Sequence, residues 1–434
     1  MSVTARTLGA ALAEIVGRDG VSAEPAARAA AAVDGHEPRW VVRPRAVEDA
    51  ARVLALAHDE KLAVAPRGRG TAMTLGAPPA RLDVVLDLAG LDAILEHNPE
   101  DMTATVQAGV TAGALATRLA AHRQALPLDP PGWSERTVGG IAATGASGPL
   151  RLRYGTMRDL LLGVRFVQAD GVLTWGGARV VKSVTGYDVP KLLVGSLGTL
   201  ALIVELTLRL HPLPEAEATC LVSMASLDDA ARLAAALVDS TLQPSRLEML
   251  DAAALTASGL PAAAAGLAIS FGSVEPAVRA QEAAVMTAAG RAARVETMGP
   301  AFWRTYDRML AGTGATCLRI TTLASRTAAT LAEARAALAG ADGVVTTACA
   351  PLGVLRIAVG PADPGLLAGA VERLRAFVAA DAGSVVIERA DADLRARVDP
   401  WGTVAPAALE LMRALKLELD PQRTLNPGRF VGAI

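Results

Sequence analysis

Cysteine, histidine and aromatic side chains are scarce in this 434-residue sequence. The three cysteines, Cys220, Cys317 and Cys349, are far apart and form no CxxC pair. Neither a disulfide framework nor an iron–sulfur cluster is expected, because a cluster needs a set of closely placed thiolates. No histidine follows His211. Residues 212–434 therefore cannot build a metal site on imidazoles, and we expect no metal.

The sequence also lacks a strong net charge and a membrane-length apolar run. The formal net charge is −2 with both signs interspersed, which is unlike the basic footprint of a nucleic-acid-binding protein. The apolar run at 192–204 ends at Glu205, whereas a spanning helix needs roughly 20 residues. Residues 1–17 include Arg6 and Glu14, which favours an amphipathic helix over a signal peptide. We expect a cytoplasmic protein without a transmembrane segment.

The length and the pattern of the chain predict several domains. Hydrophobic residues make up 52% of the sequence, enough for buried cores, and the length indicates two or three domains. A helical segment (1–35) precedes an α+β region (36–214) that ends at two prolines. Residues 215–396 alternate strands with alanine-rich helices in two βαββαβ copies, joined by a linker containing Phe302 and Trp303. Residues 397–434 contain a helix near 405–418 and two proline turns, which suggest a strap folding back on an earlier domain.

A short glycine-rich loop follows an apolar strand near the N-terminus. Residues 66–71 read PRGRGT. Glycine lets such a loop leave ordinary backbone angles, so that successive N–H groups can surround an anion, and Arg67 and Arg69 add positive charge. Met73 stands where a Rossmann fingerprint needs glycine, and the GK[ST] of a Walker loop is missing. Taken alone, this loop can also be an ordinary turn.

Two further segments share this small-residue character. Residues 137–148 read TVGGIAATGASG, and residues 195–200 read GSLGTL. We interpret the first as a second glycine-rich loop that lies flat against an extended ligand. Three such segments before residue 201 are hard to explain as independent turns, and together they predict one ligand site.

The motifs in these segments resemble those of a known superfamily. PRGRGT, TVGGIAATGASG, RYGTMRD, VVKSVTGYD and KLLVGSLGTL are similar to the FAD domain of the vanillyl-alcohol oxidase/p-cresol methylhydroxylase superfamily. Within it, the motif set resembles the smaller FAD-binding subunit of bacterial glycolate oxidase, the E subunit, and VDPWG and LDPQRTLNPGR, near the end, are similar to that subunit too. The resemblance implies an α+β fold: a two-lobed, PCMH-type FAD-binding domain with a ferredoxin-like cap.

The resemblance also implies a role for each matching position. Residues 67–71 would hold the pyrophosphate, residues 137–148 would line the flavin, the strand after Gly198 would pass the adenine end, and Asn426 would close the site. The implied FAD-binding residues are Pro66, Arg67, Gly68, Arg69, Gly70, Thr71, Thr137, Gly139, Gly140, Ala143, Thr144, Ser147, Gly148, Gly198, Thr199, Ile203, Val204 and Asn426.

Missing side chains separate this chain from its relatives. Some superfamily members tether FAD through a histidine in or near the first loop or a cysteine in the second, but this chain has no histidine between His58 and His97 and no cysteine before Cys220. We therefore expect noncovalent FAD. The related D-2-hydroxyacid dehydrogenases have a histidine-rich cap motif that is missing here, and with it the usual base for the substrate hydroxyl.

A few polar residues remain as candidates for the chemistry. Lys182, Tyr187 and Asp188, in VVKSVTGYD, form the polar cluster expected near the flavin ring; the alternative is that Lys182 and Asp188 pair structurally while Tyr187 packs. Arg153, Arg158 and Arg429 are candidates for clamping a substrate carboxylate, or they satisfy loop carbonyls or FAD phosphate.

The resemblance implies a function in a complex. The first hypothesis is an FAD-binding subunit of a glycolate oxidase-type 2-hydroxyacid dehydrogenase. It would pass electrons from a small 2-hydroxy acid through its flavin to an iron–sulfur subunit. A larger sister flavoprotein would be the other partner, and the complex would be peripheral on the inner membrane. The second is a self-sufficient FAD-dependent dehydrogenase of another small alcohol or acid, and the third is a non-catalytic scaffold that holds FAD.

Overall fold

The computed structural model describes residues 5–178, 187–290, 293–312 and 314–434. In these ranges the strands form sheets of four, five, two and eight strands. The three smaller sheets lie before residue 213, and the eight-stranded sheet is formed by residues 216–389. Within these ranges no helix combines the length and the apolar character that crossing a bilayer requires.

The first lobe is a small sheet with three helices. Its elements are α1 (Ala5–Val16), β1 (Val21–Ser22), α2 (Pro25–Ala30), β2 (Trp40–Val42), α3 (Val47–Asp59), β3 (Val64–Arg67) and β4 (Val84–Asp87). The strand order is β1-β2-β4-β3, with β2 and β3 parallel to β4. Val53, Leu54 and Ala57 of α3 recur at helical spacing and are buried in the core that covers this sheet. The helix therefore packs on the sheet whose strand β3 leads into the first glycine loop.

The second lobe is built around a five-stranded antiparallel sheet of order β5-β6-β10-β8-β9. Its elements are β5 (Ile94–Asn98), β6 (Thr103–Gln107), α4 (Ala112–Ala120), β7 (Gln124–Ala125), α5 (Val138–Thr144), α6 (Arg151–Tyr154), α7 (Met157–Leu160), β8 (Leu161–Val167), β9 (Leu173–Gly177), α8 (Val189–Leu193), β10 (Leu202–Arg209) and β11 (His211–Pro212). β7 and β11 form a separate antiparallel pair.

Within the second glycine-rich segment, Val138–Thr144 form the helix α5, so the interpretation of these residues as a loop was wrong; residues 145–148 follow the helix without regular structure. The Thr137 side chain accepts a hydrogen bond from the Gly140 N–H and caps α5, and Gly145, with φ +62°, ends it. Val138 and Ile141 are buried, which holds the helix on the sheet. A Cβ on Gly139 would lie 2.6 Å from the Ala108 Cβ. Glycine is needed there for close packing of helix on strand.

The cap is one antiparallel sheet of order β15-β12-β14-β13-β17-β18-β16-β19. Each half runs strand, helix, strand, strand, helix, strand, with α10 added in the first half. The elements are β12 (Ala216–Met224), α9 (Leu227–Val238), β13 (Arg246–Asp251), α10 (Ala252–Ala257), β14 (Ala265–Ser273), α11 (Glu275–Ala289), β15 (Arg294–Met298), α12 (Phe302–Gly312), β16 (Thr316–Thr321), α13 (Thr327–Ala337), β17 (Val345–Cys349), β18 (Val354–Val359), α14 (Pro364–Ala379), β19 (Ser384–Arg389) and α15 (Ala392–Arg397).

The segment that joins the two halves of the cap is helical, whereas we interpreted its first residues as a linker. Phe302, Tyr306 and Met309 recur at i, i+4 and i+7 and are buried against the sheet. Their spacing should have predicted α12, and the helix covers part of the sheet face that looks toward the second lobe.

The two faces of the cap sheet differ in chemistry. On β16, Leu318 and Ile320 are buried in the core beneath the long helices, while Cys317 and Arg319 alternate with them on the opposite face. Side chains alternate along a strand, so Arg356 on β18 and Glu388 on β19 lie on that opposite face as well. The polar face of the cap therefore points into the space above the second lobe.

The C-terminal segment returns to the first lobe. α16 (Pro406–Leu419) is followed by a bridge in which the Val64 N–H donates to the Thr424 carbonyl and the Asn426 N–H donates to the Val64 carbonyl. Lys416 is buried and donates to the carbonyls of Thr199 and Leu425. The tail is thus joined to both β3, which leads into the first glycine loop, and the segment around Gly198.

Candidate functional site

A crevice runs between the first glycine loop, the start of α5 and the tail. The loop after β3 can approach α5 because residue 68 is glycine: a Cβ there would lie 2.3 Å from the Thr137 Oγ1. Gly70 has φ +74°, a conformation that other residues rarely adopt. Gly198 and Asn426 lie on the opposite wall. The crevice is therefore narrow and lined by small side chains.

Most of the predicted FAD-binding residues line this crevice or its inner extension. Those that do are Pro66, Arg67, Gly68, Arg69, Gly70, Thr71, Thr137, Gly139, Gly140, Ala143, Thr144, Gly198, Ile203 and Asn426.

Four predicted residues lie elsewhere. Ser147 lines the larger cavity described below. Gly148 packs on the Asp129 carbonyl, which a Cβ would meet at 1.8 Å. Thr199 is fully buried and donates to the Ser196 carbonyl, and Val204 is in the first-lobe core. These three support the walls of the site from behind.

The crevice fits FAD on its polar atoms as well as on its shape. Among the described residues, the Arg67 Nε and the Asn426 Oδ1 are buried without a hydrogen-bond partner. Arg67 and Arg69 supply positive charge beside the glycine loop, as a pyrophosphate requires. The inner extension, lined by Leu88, Ala201 and other apolar residues, suits an aromatic ring.

A larger cavity of about 570 Å³ lies between the second lobe and the cap. Its described lining includes more basic than acidic side chains. The basic ones are Arg136, Arg151, Arg158, Arg319, Arg356 and Arg389, and the acidic ones are Glu135 and Glu388. This excess of positive charge favours an anionic ligand.

Three of these arginines have no carboxylate partner in the part of the chain that the structure describes. Arg136 donates to the Pro131 carbonyl, Arg151 to the Ser147 hydroxyl and Arg158 to the Lys191 carbonyl. Burial lowers the pKa of both Arg136 and Arg151 from the usual value for arginine, which reflects the cost of keeping their charges without a counterion. A ligand carboxylate would remove that cost.

The cap contributes a charged triad to the same cavity. Arg319 and Arg356 are directly opposite each other on β16 and β18, and Glu388 lies between them. Its Oε1 is 2.9 Å from the Arg319 Nε, and its Oε2 is 2.5 Å from the Arg356 Nη1. Arg356 also donates to the Ser147 carbonyl at 2.7 Å. The triad therefore joins the cap sheet to the segment that follows α5.

The predicted carboxylate clamp is only partly assembled. Arg158 lines the large cavity, but Arg153 donates to the carbonyl and side chain of Gln243. Arg429 is buried and its guanidinium donates to the carbonyls of Met73, Leu75 and Ala77. Arg429 thus satisfies loop carbonyls, the alternative we had left open.

The predicted catalytic cluster is not assembled among the described residues. The Tyr187 side chain is 94% exposed. Asp188 caps α8 and pairs with Lys191, so its carboxylate serves the helix. Lys182 lies outside the described residues. Arg136, Arg151 and the cap arginines that line the large cavity were not singled out from the sequence. A signal for the cap arginines was present, because Arg319 and Arg356 are each the lone charge in an apolar strand, in the triplet LRI (318–320 and 355–357), which indicates a polar cavity.

Comparisons with known proteins find two families that match separate parts of the chain. Residues 38–177 match the family "FAD binding domain", and residues 213–350 and 402–430 match the family "FAD linked oxidases, C-terminal domain". The chain is 33% identical over 49% of its length to the glycolate oxidase subunit GlcD of Bacillus subtilis, of which 46% is covered. It is 35% identical over 49% of its length to the D-lactate dehydrogenase of Archaeoglobus fulgidus, of which 47% is covered. The chain spans about half the length of these relatives.

Solved structures share the fold. p-Cresol methylhydroxylase with substrate bound superposes with a TM-score of 0.79 at 17% identity, over 98% of this chain and 96% of that one. 4-Ethylphenol oxidase from Gulosibacter chungangensis gives a TM-score of 0.77 at 15% identity, over 98% and 97% of the two chains. The predicted PCMH-type α+β fold is confirmed.

Proposed function

We propose that the chain, in which a match to the FAD binding domain is followed by a match to the C-terminal domain of FAD linked oxidases, is an FAD-linked oxidoreductase whose substrate is a small 2-hydroxy acid. The observation that carries this proposal is the cavity between the second lobe and the cap, where arginines without carboxylate partners lie beside the flavin crevice. The named activities of the relatives, a glycolate oxidase subunit and D-lactate dehydrogenases, fit a ligand that carries a carboxylate.

The proposal divides the work between the parts of the chain. Residues 36–214 hold FAD, residues 215–396 close the substrate cavity, and residues 397–434 lock the crevice through Asn426. When bound, FAD would take up the hydride that leaves the substrate carbon. Arg151 and Arg136 would orient the substrate through its carboxylate, and the polar face of the cap would keep bulk water from the reacting carbon.

The proposal is tested by anaerobic reduction of the FAD-loaded chain. We expect glycolate or D-lactate to bleach the flavin absorbance. Acetate, which lacks the hydroxyl, and 1,2-propanediol, which lacks the carboxylate, are the matched controls and should leave the flavin oxidised. Bleaching by the diol as fast as by the acids would contradict the carboxylate requirement.

Arg151→Met should raise the KM for the hydroxy acid by about 10- to 100-fold, because a charge-assisted hydrogen bond to the carboxylate is lost. Arg153→Met is the matched control. Arg153 lies two residues away but contacts Gln243, so its removal should leave the KM within about twofold. Steady-state kinetics with a dye acceptor measure both variants, and equal effects would refute the assignment of Arg151.

We also propose that the FAD is held noncovalently. No histidine or cysteine lies among the described residues of the crevice. Cys317 lines the large cavity, but burial raises the pKa of its thiol, so the nucleophilic thiolate is disfavoured. Acid precipitation should release all flavin into the supernatant; a yellow pellet that keeps its colour after washing would contradict this expectation.

Electrons would leave through partner proteins. We propose a larger sister flavoprotein subunit and an iron–sulfur subunit, because the three cysteines of this chain, Cys220, Cys317 and Cys349, are too far apart in the sequence to suggest a cluster of its own. Affinity purification of the full chain from its native lysate should recover both. Recovery of the chain alone, with rapid turnover on a soluble acceptor, would favour a self-sufficient dehydrogenase instead.

A further inference from the structure

Oxidation of a 2-hydroxy acid requires a group that takes the hydroxyl proton. The substrate loses a hydride from its carbon and a proton from its oxygen as the C–O bond becomes a carbonyl; the flavin is the two-electron oxidant, and the proton must pass to the protein or to water. No histidine lies among the described residues that line the large cavity. The acceptor has to be sought among other side chains.

Two carboxylates and one thiol are the titratable candidates on the described cavity wall. The Glu135 side chain is 70% exposed and lies 3.6 Å from Arg69, at the entrance to the glycine loop. Cys317 keeps its proton, because burial raises the pKa of the thiol. Glu388 lies on the cap face of the cavity with its side chain 28% exposed. Glu388 is therefore the candidate that lies on the cavity wall and is accessible to a bound substrate.

On the premise that the substrate is a 2-hydroxy acid, we propose that Glu388 accepts the hydroxyl proton. Each of its oxygens receives one arginine hydrogen bond, from Arg319 or Arg356, and a carboxylate oxygen has room for a second donor. A substrate whose carboxylate is held by Arg151 or Arg136 would present its hydroxyl to the remaining lone pairs.

The surroundings of Glu388 keep it ionised and fixed in position. Burial raises its pKa, but the charges of Arg356 and Arg319 outweigh this effect and hold the pKa below the usual value for a glutamate. The acceptor is therefore unprotonated before the substrate binds. Arg356 also donates to the Ser147 carbonyl, which fixes the carboxylate relative to the segment beside the flavin crevice.

The binding part of the proposal is tested without turnover. 2-Hydroxy-2-methylpropanoate has the carboxylate and the hydroxyl but no transferable hydrogen on its second carbon. The wild-type holoenzyme should bind it about tenfold more tightly than 2-methylpropanoate, because its hydroxyl donates to a carboxylate. Glu388→Leu should lose this preference, as measured by flavin difference spectra. An unchanged preference would overturn the proposal.

The catalytic part is tested by the rate of anaerobic flavin reduction. Glu388→Gln should slow reduction by about 10²- to 10⁴-fold, and the wild-type rate should fall at low pH as Glu388 is protonated. Glu333→Gln is the matched control, since Glu333 pairs with Arg373 on the cap surface and should keep the wild-type rate. A Glu388→Gln variant that reduces its flavin at the wild-type rate would overturn the proposal.

Two further results separate a chemical role from a structural one. Formate added to Glu388→Ala should restore part of the rate of flavin reduction, because a small carboxylate can replace the missing acceptor. If Glu388→Gln fails to fold, Glu388→Asp takes its place. This variant should reduce its flavin slowly but keep the acidic limb of the pH profile, the fall in rate at low pH. A Glu388→Asp variant without that limb would overturn the proposal. Wild-type flavin that no 2-hydroxy acid reduces would refute the proposed function itself, whatever the variants do.

Discussion

Lys416→Met is expected to destabilise the chain by about 3–5 kcal/mol, the usual cost of leaving one member of a buried ion pair alone. The Lys416 side chain is 5% exposed and that of Asp420 is fully buried, with 2.6 Å between the Nζ and the Oδ2. Burial lowers the pKa of Lys416, which the neighbouring Asp420 only partly offsets. Burying the Lys416 charge therefore has a desolvation cost, which its hydrogen bonds and Asp420 have to offset.

The same substitution should weaken FAD binding. The Lys416 ammonium also donates to the Thr199 carbonyl at 2.7 Å and to the Leu425 carbonyl at 3.0 Å. Thr199 follows Gly198 and Leu425 precedes Asn426, and both of those residues line the flavin crevice. Without the ammonium, the segments that carry Gly198 and Asn426 both lose a hydrogen bond that holds them in place. We expect at least tenfold weaker binding of FAD, about 1.4 kcal/mol, by quenching of flavin fluorescence.

Two controls isolate the buried charge in this prediction. Lys191→Met removes the lysine of an exposed pair with Asp188 and should change the free energy of unfolding by no more than about 0.5 kcal/mol. In the double variant, Asp420→Asn added to Lys416→Met removes the unpaired charge and should recover part of the loss. Denaturant unfolding of the apoprotein measures all three. A single variant as stable as the wild type would contradict the role of the pair.

The flavin crevice could be predicted from sequence because its chemistry is local. Gly68, Gly70 and Gly198 are needed where the backbone turns or approaches a neighbour, and such positions stay recognisable whatever the rest of the chain does. The segment 137–148 shows the limit of this reasoning. Its small residues suggested a loop throughout, but the cap formed by Thr137 and the burial of Ile141 make Val138–Thr144 a helix.

The substrate cavity could not be predicted in the same way, because it depends on strand order. Arg319, Arg356 and Glu388 are far apart in sequence and meet only because β16 lies between β18 and β19. Tyr187 and Asp188 show the opposite case. They are close to conspicuous motifs, yet the tyrosine is exposed and the aspartate caps α8, so proximity in sequence does not by itself bring side chains to one cavity.

Glu248→Gln is expected to be more stable than the wild type at pH 8. The difference in the free energy of unfolding between variant and wild type should grow by on the order of 3 kcal/mol from pH 5 to pH 8. Glu248, on β13, is buried and accepts a hydrogen bond of 2.7 Å from the Tyr306 hydroxyl. Burial raises its pKa to about 8, against a smaller lowering by the Tyr306 hydrogen bond. Near neutral pH the carboxyl group is therefore protonated.

The direction of this effect follows from the two states of Glu248. Its pKa in the folded chain lies above the ordinary value of 4.5, so the folded state binds the proton more tightly than the unfolded state. The stability that this proton contributes is fully present below that ordinary value and is lost as the pH rises toward 8. Glutamine cannot ionise, so the variant should lack this part of the pH dependence.

Urea unfolding at pH 5, 6.5 and 8 measures the difference between variant and wild type. Glu275→Gln is the control, because Glu275 is exposed and pairs with Arg279 on α11; its curve should follow the wild type within about 0.5 kcal/mol. A Glu248→Gln variant that is less stable than the wild type at pH 8 would contradict a neutral Glu248.

A neutral Glu248 also matters for the cavity. Arg356 and Arg151 both interact electrostatically with Glu248, so an ionised carboxylate there would cancel part of the positive charge that the substrate needs. Wild-type affinity for hydroxy acids should fall as the pH rises through about 8, the pKa of Glu248, and the Glu248→Gln variant should keep its affinity across that range. Titrations with 2-hydroxy-2-methylpropanoate at pH 6.5 and 9 compare the two. The same loss of affinity in both proteins would show that another group sets the charge of the cavity.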